Sequence, residues 1–391
     1  MVAGQPQPCL PLPHTILQII PKLETGGAER TTVDLTAALT AAGWRALVVS
    51  EGGRLVPEVE AAGGEHIALP AASKSPATIL ANAWRLRRII AREQVELVHA
   101  RSRAPAWSAL IAARLAGVPF VTTHHGIYRA GNVAKRLYNS VMVKGDAVIA
   151  NSQWTAERIR AEYRRAPQRL TVIARGADLE LFDPAAVAPE RISRLRAQWG
   201  ANDGDLVVLL PGRLTRWKGQ GVLIEALAQL KHAGRLPPLI AVLAGDAQGR
   251  DSYAAELRQA VGAAGLTEVV ALPGHVSDMA AAYLAADIVI SASTQPEPFG
   301  RVPVEAGAMG RPVIATDHGG ARETVIGEVS GLLIPPSDPA ALAAALERLI
   351  ALGLEGRAAM GAKGRAQVRE RFTRERMCAE TIALYRELLG G

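Results

Sequence analysis

From Thr15 onward, short apolar runs alternate with longer segments whose apolar residues recur at helical spacing. The runs HTILQII (14–20), RALVVS (45–50), VELVHA (95–100), PFVTTH (119–124) and DAVIAN (146–151) predict buried strands. Between them ERTTVDLTAALTAAG (29–43), SPATILANAWRLRRIIAREQ (75–94) and APAWSALIAARLAG (104–117) predict helices. Gly43 and Gly117 close two of these helices, where a glycine readily takes the left-handed conformation. Strand–helix–strand alternation with short connectors predicts βαβ units and a parallel sheet.

The pattern pauses at TVIARGADLELFDPAAVAPE (171–190), a proline- and aspartate-punctuated stretch that reads as an interdomain linker. It then restarts with the strand-like runs DLVVLLPG (205–212), LIAVLAGD (239–246), EVVALPG (268–274), DIVISAS (287–293) and RPVIAT (311–316). The chain is thus expected to form two α/β domains, 14–183 and 190–371, with the final segment 372–391 as one amphipathic helix. Open α/β sheets bind ligands beyond the carboxyl ends of their strands, so the loops there are the places to look for chemistry. Two such domains facing a cleft would put the site between them.

Composition narrows the classes. The chain has 391 residues, 49% of them apolar and 21% charged, which suits a globular protein. Two cysteines, Cys9 and Cys378, give no disulfide framework and no cysteine metal site. MVAGQPQPCLPLP has no basic n-region followed by an apolar h-region, and no run approaches the roughly 18 apolar residues of a membrane span. The expected location is cytoplasmic, with peripheral contact at the inner face of the plasma membrane left open. The net charge of +7 lies wholly in residues 1–185, where 22 Lys and Arg face 15 Asp and Glu; the remainder balances at 22 and 22. Such a half attracts anionic lipid or a phosphorylated acceptor, or is simply a basic surface. No nucleic-acid recognition motif accompanies it.

Three post-strand elements carry candidate chemistry. Glu24-Thr25-Gly26-Gly27-Ala28-Glu29-Arg30 opens the first helix and reads equally as a helix-entry turn or as a phosphate site. Gly212-Arg213-Leu214-Thr215-Arg216-Trp217-Lys218-Gly219 puts several cations on one loop, which suits a diphosphate or a solvated basic loop. Glu297-Pro298-Phe299-Gly300-Arg301-Val302-Pro303-Val304-Glu305 spaces two glutamates eight apart, one in a loop and one in a helix. A carboxylate accepts two hydrogen bonds from a vicinal diol, as in a ribose or a hexose. Asp203-Gly204-Asp205 has the form D-x-D but precedes a strand, where a turn is expected and not a metal. His99, Arg101 and Arg103 end a strand and read as acceptor-facing or as a surface loop.

The ordered set GGAER, GRLTRWKG, EPFGRVPVEAGAMGRPVIATDHGGARETV and SGLLIPPSD closely resembles glycosyltransferase family 4, and the similarity runs from about Ile16 to the last helix. The resemblance implies the GT-B fold: two Rossmann-like parallel-sheet domains facing a cleft, with the C-terminal helix crossing back to the N-domain. It implies retaining transfer of a sugar from a nucleotide-diphosphate-sugar to a cell-envelope glycan or a lipid-linked acceptor of the lipopolysaccharide type. No metal or cofactor is implied, and a UDP-sugar is favoured over a GDP-sugar. By the same resemblance, Arg213 and Lys218 hold the diphosphate, Glu297 lies near the transferred sugar and Glu305 binds the ribose. Phe299, Gly300, Arg301 and Val302 present backbone amides, and Gly26 and Gly27 form the N-domain glycine loop. In Val121-Thr122-Thr123-His124-His125-Gly126, His125 aligns with the histidine that contacts the donor sugar, and His124 is left as a packing residue. The competing readings are a nucleotide-sugar epimerase on the same plan and a catalytically silent sugar-nucleotide-binding subunit.

Overall fold

A computed structural model describes residues 14–24, 26–126, 128, 131–163, 167–247, 249 and 251–390. Cys9 with the proline-rich start, and Thr25 of the first glycine loop, lie outside the described residues. The chain packs as two compact units. The first takes the residues up to Ala150, Ile159–Ile173 and the end of the chain from Cys378; the second takes Asn151–Arg158 and Ala174–Met377.

In the first unit seven parallel strands run in the order β3-β2-β1-β4-β5-β6-β7. They are β1 (Thr15–Ile19), β2 (Arg45–Ser50), β3 (Glu65–Ala68), β4 (Leu97–Ala100), β5 (Phe120–His124), β6 (Ala147–Ala150) and β7 (Leu170–Val172). Side chains alternate between the faces of the sheet. Leu17, Ile19, Val98, Ala100 and Phe120 enter an apolar core with Leu86, Ile89 and Ile90 of the helix Pro76–Arg92. Gln18, His99 and Thr123 are instead buried polar residues with hydrogen-bond partners of their own. Gln18 donates to the Thr36 hydroxyl at 3.0 Å and accepts from Arg101 Nη2 at 2.9 Å. His99 bonds Thr123 at 2.7 Å and, through Nδ1, the Tyr385 hydroxyl of the C-terminal helix Arg374–Leu389. His99 and Arg101 therefore turn inward and do not form a surface loop.

In the second unit six parallel strands run in the order β10-β9-β8-β11-β12-β13. They are β8 (Leu206–Pro211), β9 (Leu239–Ala244), β10 (Val270–Gly274), β11 (Ile288–Ser291), β12 (Val313–Thr316) and β13 (Gly331–Ile334). Val207 and Leu209 feed one core with Tyr283 and Phe299, while Val208 and Leu210 feed another with Leu223 and Leu227. Burial on both faces explains why β8 reads as a continuous apolar run.

The chain passes from the first unit to the second inside the stretch read as a linker, at Ile173–Ala174, but most of that stretch packs into the second unit. Residues 170–172 form the edge strand β7, and from Ala174 the chain packs into the second unit. Ala177 N donates to Phe372 O at 2.8 Å, Arg374 pairs with Asp178 at 2.7 Å, and Phe182 lies edge-on to Tyr283 at 6.0 Å. The prolines and aspartates around Phe182 hid an apolar anchor. The expected boundary at 183–190 accordingly falls inside the second unit, and Asn151–Arg158 belongs there too. Asp205 accepts from Asn202 N at 2.7 Å and so closes the turn before β8. No helix of the described residues is long and apolar enough to cross a membrane.

Alternation along β5 sends His124 to the same side as Phe120 and Thr122, where its Nε2 bonds the Met142 carbonyl at 3.2 Å. Burial pushes the His124 imidazole down to about 4 and holds His99 well below the usual histidine value of 6.5. Both stay neutral when folded but take up a proton in the unfolded chain. Stability is therefore complete above the unfolded pKa and is lost as pH falls from about 6.5 toward 4, His124 alone accounting for on the order of 3 kcal/mol. Calorimetry should show a melting temperature that drops between pH 7 and pH 5, and drops less in His124→Gln. Equal acid sensitivity in the two proteins would contradict this.

Candidate functional site

The strand order of the second unit reverses between β8 and β11, the place in an open parallel sheet where the chains leaving two neighbouring strands ordinarily diverge and a ligand binds. The loop after β8 enters a 3-10 turn, Arg216–Lys218, and then Gly219 at φ +81°, which begins the helix Gln220–His232. Gly219 is pressed against the chain leaving β11: a Cβ there would lie 1.9 Å from the Ala292 carbonyl oxygen. Thr294 N donates to Trp217 O at 2.8 Å and locks the two loops together.

This contact aims Lys218 at Glu297. Nζ meets Oε1 at 2.8 Å, with the two side chains 15% and 16% exposed. The Ser293 hydroxyl donates to the same oxygen. Ser293 is itself held, its carbonyl accepting from Thr316 Oγ1 at 3.0 Å and from His318 Nε2 at 2.7 Å. Three adjacent strand ends, those of β8, β11 and β12, thus converge on one carboxylate. Among the described residues Glu297 Oε2 makes no hydrogen bond, and Arg213 stands exposed without a side-chain partner. Arg216 is diverted to Glu256 at 2.7 Å and to the Tyr253 ring.

The Glu297 loop has little freedom. Gly320 N donates to Glu297 O at 2.8 Å, and a Cβ on Gly319 or Gly320 would come within 2.4 Å of Glu297 O or 2.3 Å of Phe299 O. The Phe299 ring is buried edge-on to Phe372 at 5.7 Å, so it anchors the loop while its backbone leads into Gly300 and the helix Arg301–Ala308. Pro298 O accepts from the buried Ser152 and Thr155 hydroxyls, the latter at 3.2 Å. Val302 is partly buried against the core, and Glu305 stands one turn on from Arg301. Glu305 Oε2 accepts from the Tyr283 hydroxyl at 2.8 Å and Oε1 from Arg301 at 2.6 Å. Burial, then the charge of Glu305, pushes the Tyr283 hydroxyl well above its usual value, with Arg301 opposing and Glu297 adding to the shift. Both glutamates and Arg301 therefore act on one buried phenol.

The structure thus brings Lys218 and Glu297 into direct contact, does the same for Arg301 and Glu305, and sets Arg213 on the rim of the same loop. Gly26, Gly27 and His125 belong to the first unit. Gly26 starts the helix Gly27–Ala41 with no side-chain cap, and His125 follows β5 half-buried. Sequence reasoning missed Ser293, Tyr283, Thr316 and His318. Ser293 lies four residues before Glu297 and directly after an apolar strand, and Thr316 and His318 lie within the run RPVIATDHGG quoted for the resemblance, where no role was assigned to them. The cations and the open carboxylate oxygen suit a ligand that carries both phosphate and vicinal hydroxyls.

Two family descriptions match, Glycosyltransferase Family 4 over residues 25–181 and Glycosyl transferases group 1 over 191–367. The chain belongs to glycosyltransferase family 4. It is similar to D-inositol 3-phosphate glycosyltransferase 1 of Catenulispora acidiphila, 31% identical over 65% of this chain and 64% of that one. The D-inositol 3-phosphate glycosyltransferase of Jonesia denitrificans is 30% identical over 74% of this chain and 71% of its own. The matches thus span about two thirds of these relatives' lengths. Among solved structures, a glycosyltransferase from Rickettsia africae aligns with a TM-score of 0.89 at 34% identity, covering 96% of this chain and 99% of that one. Anabaena Alr3699/HepE in complex with UDP and glucose aligns with a TM-score of 0.80 at 30% identity, covering 94% and 99%. These likenesses establish the GT-B fold of two Rossmann-like parallel-sheet domains.

The tight approach of the loops gives a direct test. Gly219→Ala combines a left-handed backbone with a clash on the Ala292 carbonyl and should cost at least about 3 kcal/mol. Gly43→Ala, left-handed at φ +77° but with nothing within 4 Å, should cost only about 1–2 kcal/mol. Equal losses in urea unfolding would show that the approach does not matter.

Proposed function

We propose that the protein is a retaining, metal-independent glycosyltransferase that moves a hexosyl group from a nucleotide-diphosphate-sugar to an acceptor. The observation that carries this reading is the Lys218–Glu297 pair, with Glu297 Oε2 unbonded and Arg213 on the same loop as Lys218 without a side-chain partner among the described residues. Arg213 and Lys218 neutralise the charge that develops on the leaving diphosphate, together with N–H groups at the start of the helix Arg301–Ala308. Glu297 Oε2 accepts from hydroxyls of the transferred sugar, and Glu305 from the nucleotide ribose. The acceptor hydroxyl attacks on the face from which the diphosphate departs, so the anomeric configuration is kept. Gly26, Gly27 and His125 keep the roles that family resemblance gives them.

A UDP-sugar is the favoured donor, supported by the UDP and glucose bound to the Anabaena protein. The proposed acceptor is a cell-envelope glycan or lipid-linked saccharide. A peripheral, cytoplasmic position at the inner face of the plasma membrane goes with it. The curated relatives are named for D-inositol 3-phosphate, so a phosphorylated polyol belongs in any acceptor panel. Neither an epimerase nor a silent binding subunit gains support from the family match.

Lys218→Ala and Glu297→Ala should each lower transfer by about 100-fold or more, the scale of losing one transition-state contact. The measurement is sugar transfer from the preferred donor at saturating acceptor. Near wild-type turnover in either variant would sink the assignment.

A further inference from the structure

One face of the helix Pro76–Arg92 is hard to explain by folding alone. Its inner stripe, Leu86, Ile89 and Ile90, is buried against the sheet of the first unit. On the outside Leu80 and Trp84 stand one turn apart, 55% and 57% exposed. Arg85, Arg87, Arg88 and Arg92 are exposed around them, and no Asp or Glu occurs anywhere from His66 to Arg92. Arg92 is partnered by Glu93 at 2.5 Å and Arg85 by Asn82 at 3.3 Å. Arg87 leans toward the Trp84 ring at 5.8 Å, and neither Arg87 nor Arg88 has a carboxylate partner among the described residues.

A merely solvated basic face has no use for an exposed tryptophan and leucine in register. A surface that is apolar below and anionic above matches all of it. An indole settles at the boundary between headgroups and acyl chains, a leucine enters that boundary, and arginines lay their stems along apolar surface while their guanidinium groups reach phosphates. Each such cation near an anionic membrane adds to binding.

We propose that this face docks the protein on an anionic lipid bilayer, with Leu80 and Trp84 entering the interface and Arg87 and Arg88 pairing with lipid phosphates. The proposal deepens the peripheral location given above and rests on that reading. A UDP thermal shift on the same samples, read without vesicles, separates failure of the membrane face from failure of the donor site.

The test is sedimentation of the full chain with vesicles of phosphatidylcholine alone and with vesicles that also contain phosphatidylglycerol. Binding should need the anionic lipid. It should fall about 25-fold in the double variant Arg87→Ser, Arg88→Ser, at roughly fivefold per arginine. In Trp84→Ser it should fall by about tenfold. Lipids brominated on their acyl chains should quench the wild-type fluorescence, and the quenching should vanish in Trp84→Phe, which keeps an aromatic ring and the fold. Absence of binding, binding of equal strength to neutral vesicles, or binding that these variants leave unchanged would overturn the proposal. So would dependence on Val133 and Leu137 alone, the exposed apolar pair of the helix Val133–Asn139.

Discussion

The second unit depends on one steric constraint, the contact of Gly219 with the Ala292 carbonyl at the point where the strand order reverses. β8 and β11 are neighbours, and their outgoing chains would ordinarily part. Because residue 219 has no side chain, the turn after β8 lies on the chain leaving β11, and Lys218 reaches Glu297. The pair is only partly wet. Its attraction is therefore less screened than that of an ion pair on an open surface.

Around that pair each of the two glutamates is held by a neutral hydroxyl and a cation. Glu297 has Ser293 and Lys218; Glu305 has Tyr283 and Arg301. Such a site needs little reorganisation when a ligand arrives, which is the condition under which electrostatic stabilisation is effective. The rigidity comes from further back. Phe299 against Phe372 fixes the loop, and Thr316 and His318 fix the Ser293 carbonyl. The first unit is organised differently, with a polar layer through Gln18, His99, Thr123 and Tyr385 under its C-terminal helix.

How much of this was legible depends on how each residue signals in one dimension. Strands buried on both faces, such as β8 and β9, announce themselves as apolar runs. The edge strands β3 and β7 do not, because EHIA and LTV are only partly buried. The segment around Phe182 was misread because prolines and aspartates dominate its composition while one aromatic residue decides where it packs. The glutamates and Lys218 could be singled out by their order along the chain, but not their pairing across 79 positions, which only the strand order creates. Tyr283 sat in an alanine-rich helical run and gave no chemical signal at all.

The most direct test of the account is a thermal-shift comparison of UDP, GDP and ADP on the wild type and on Lys218→Ala. At ligand about 100 times its dissociation constant, binding should add roughly 2.7 kcal/mol to the stability of the wild type. A clear shift should appear with one nucleotide, UDP first, and disappear when Lys218 is removed. A shift of the same size in both proteins would place the diphosphate away from the Lys218–Glu297 pair and contradict the account.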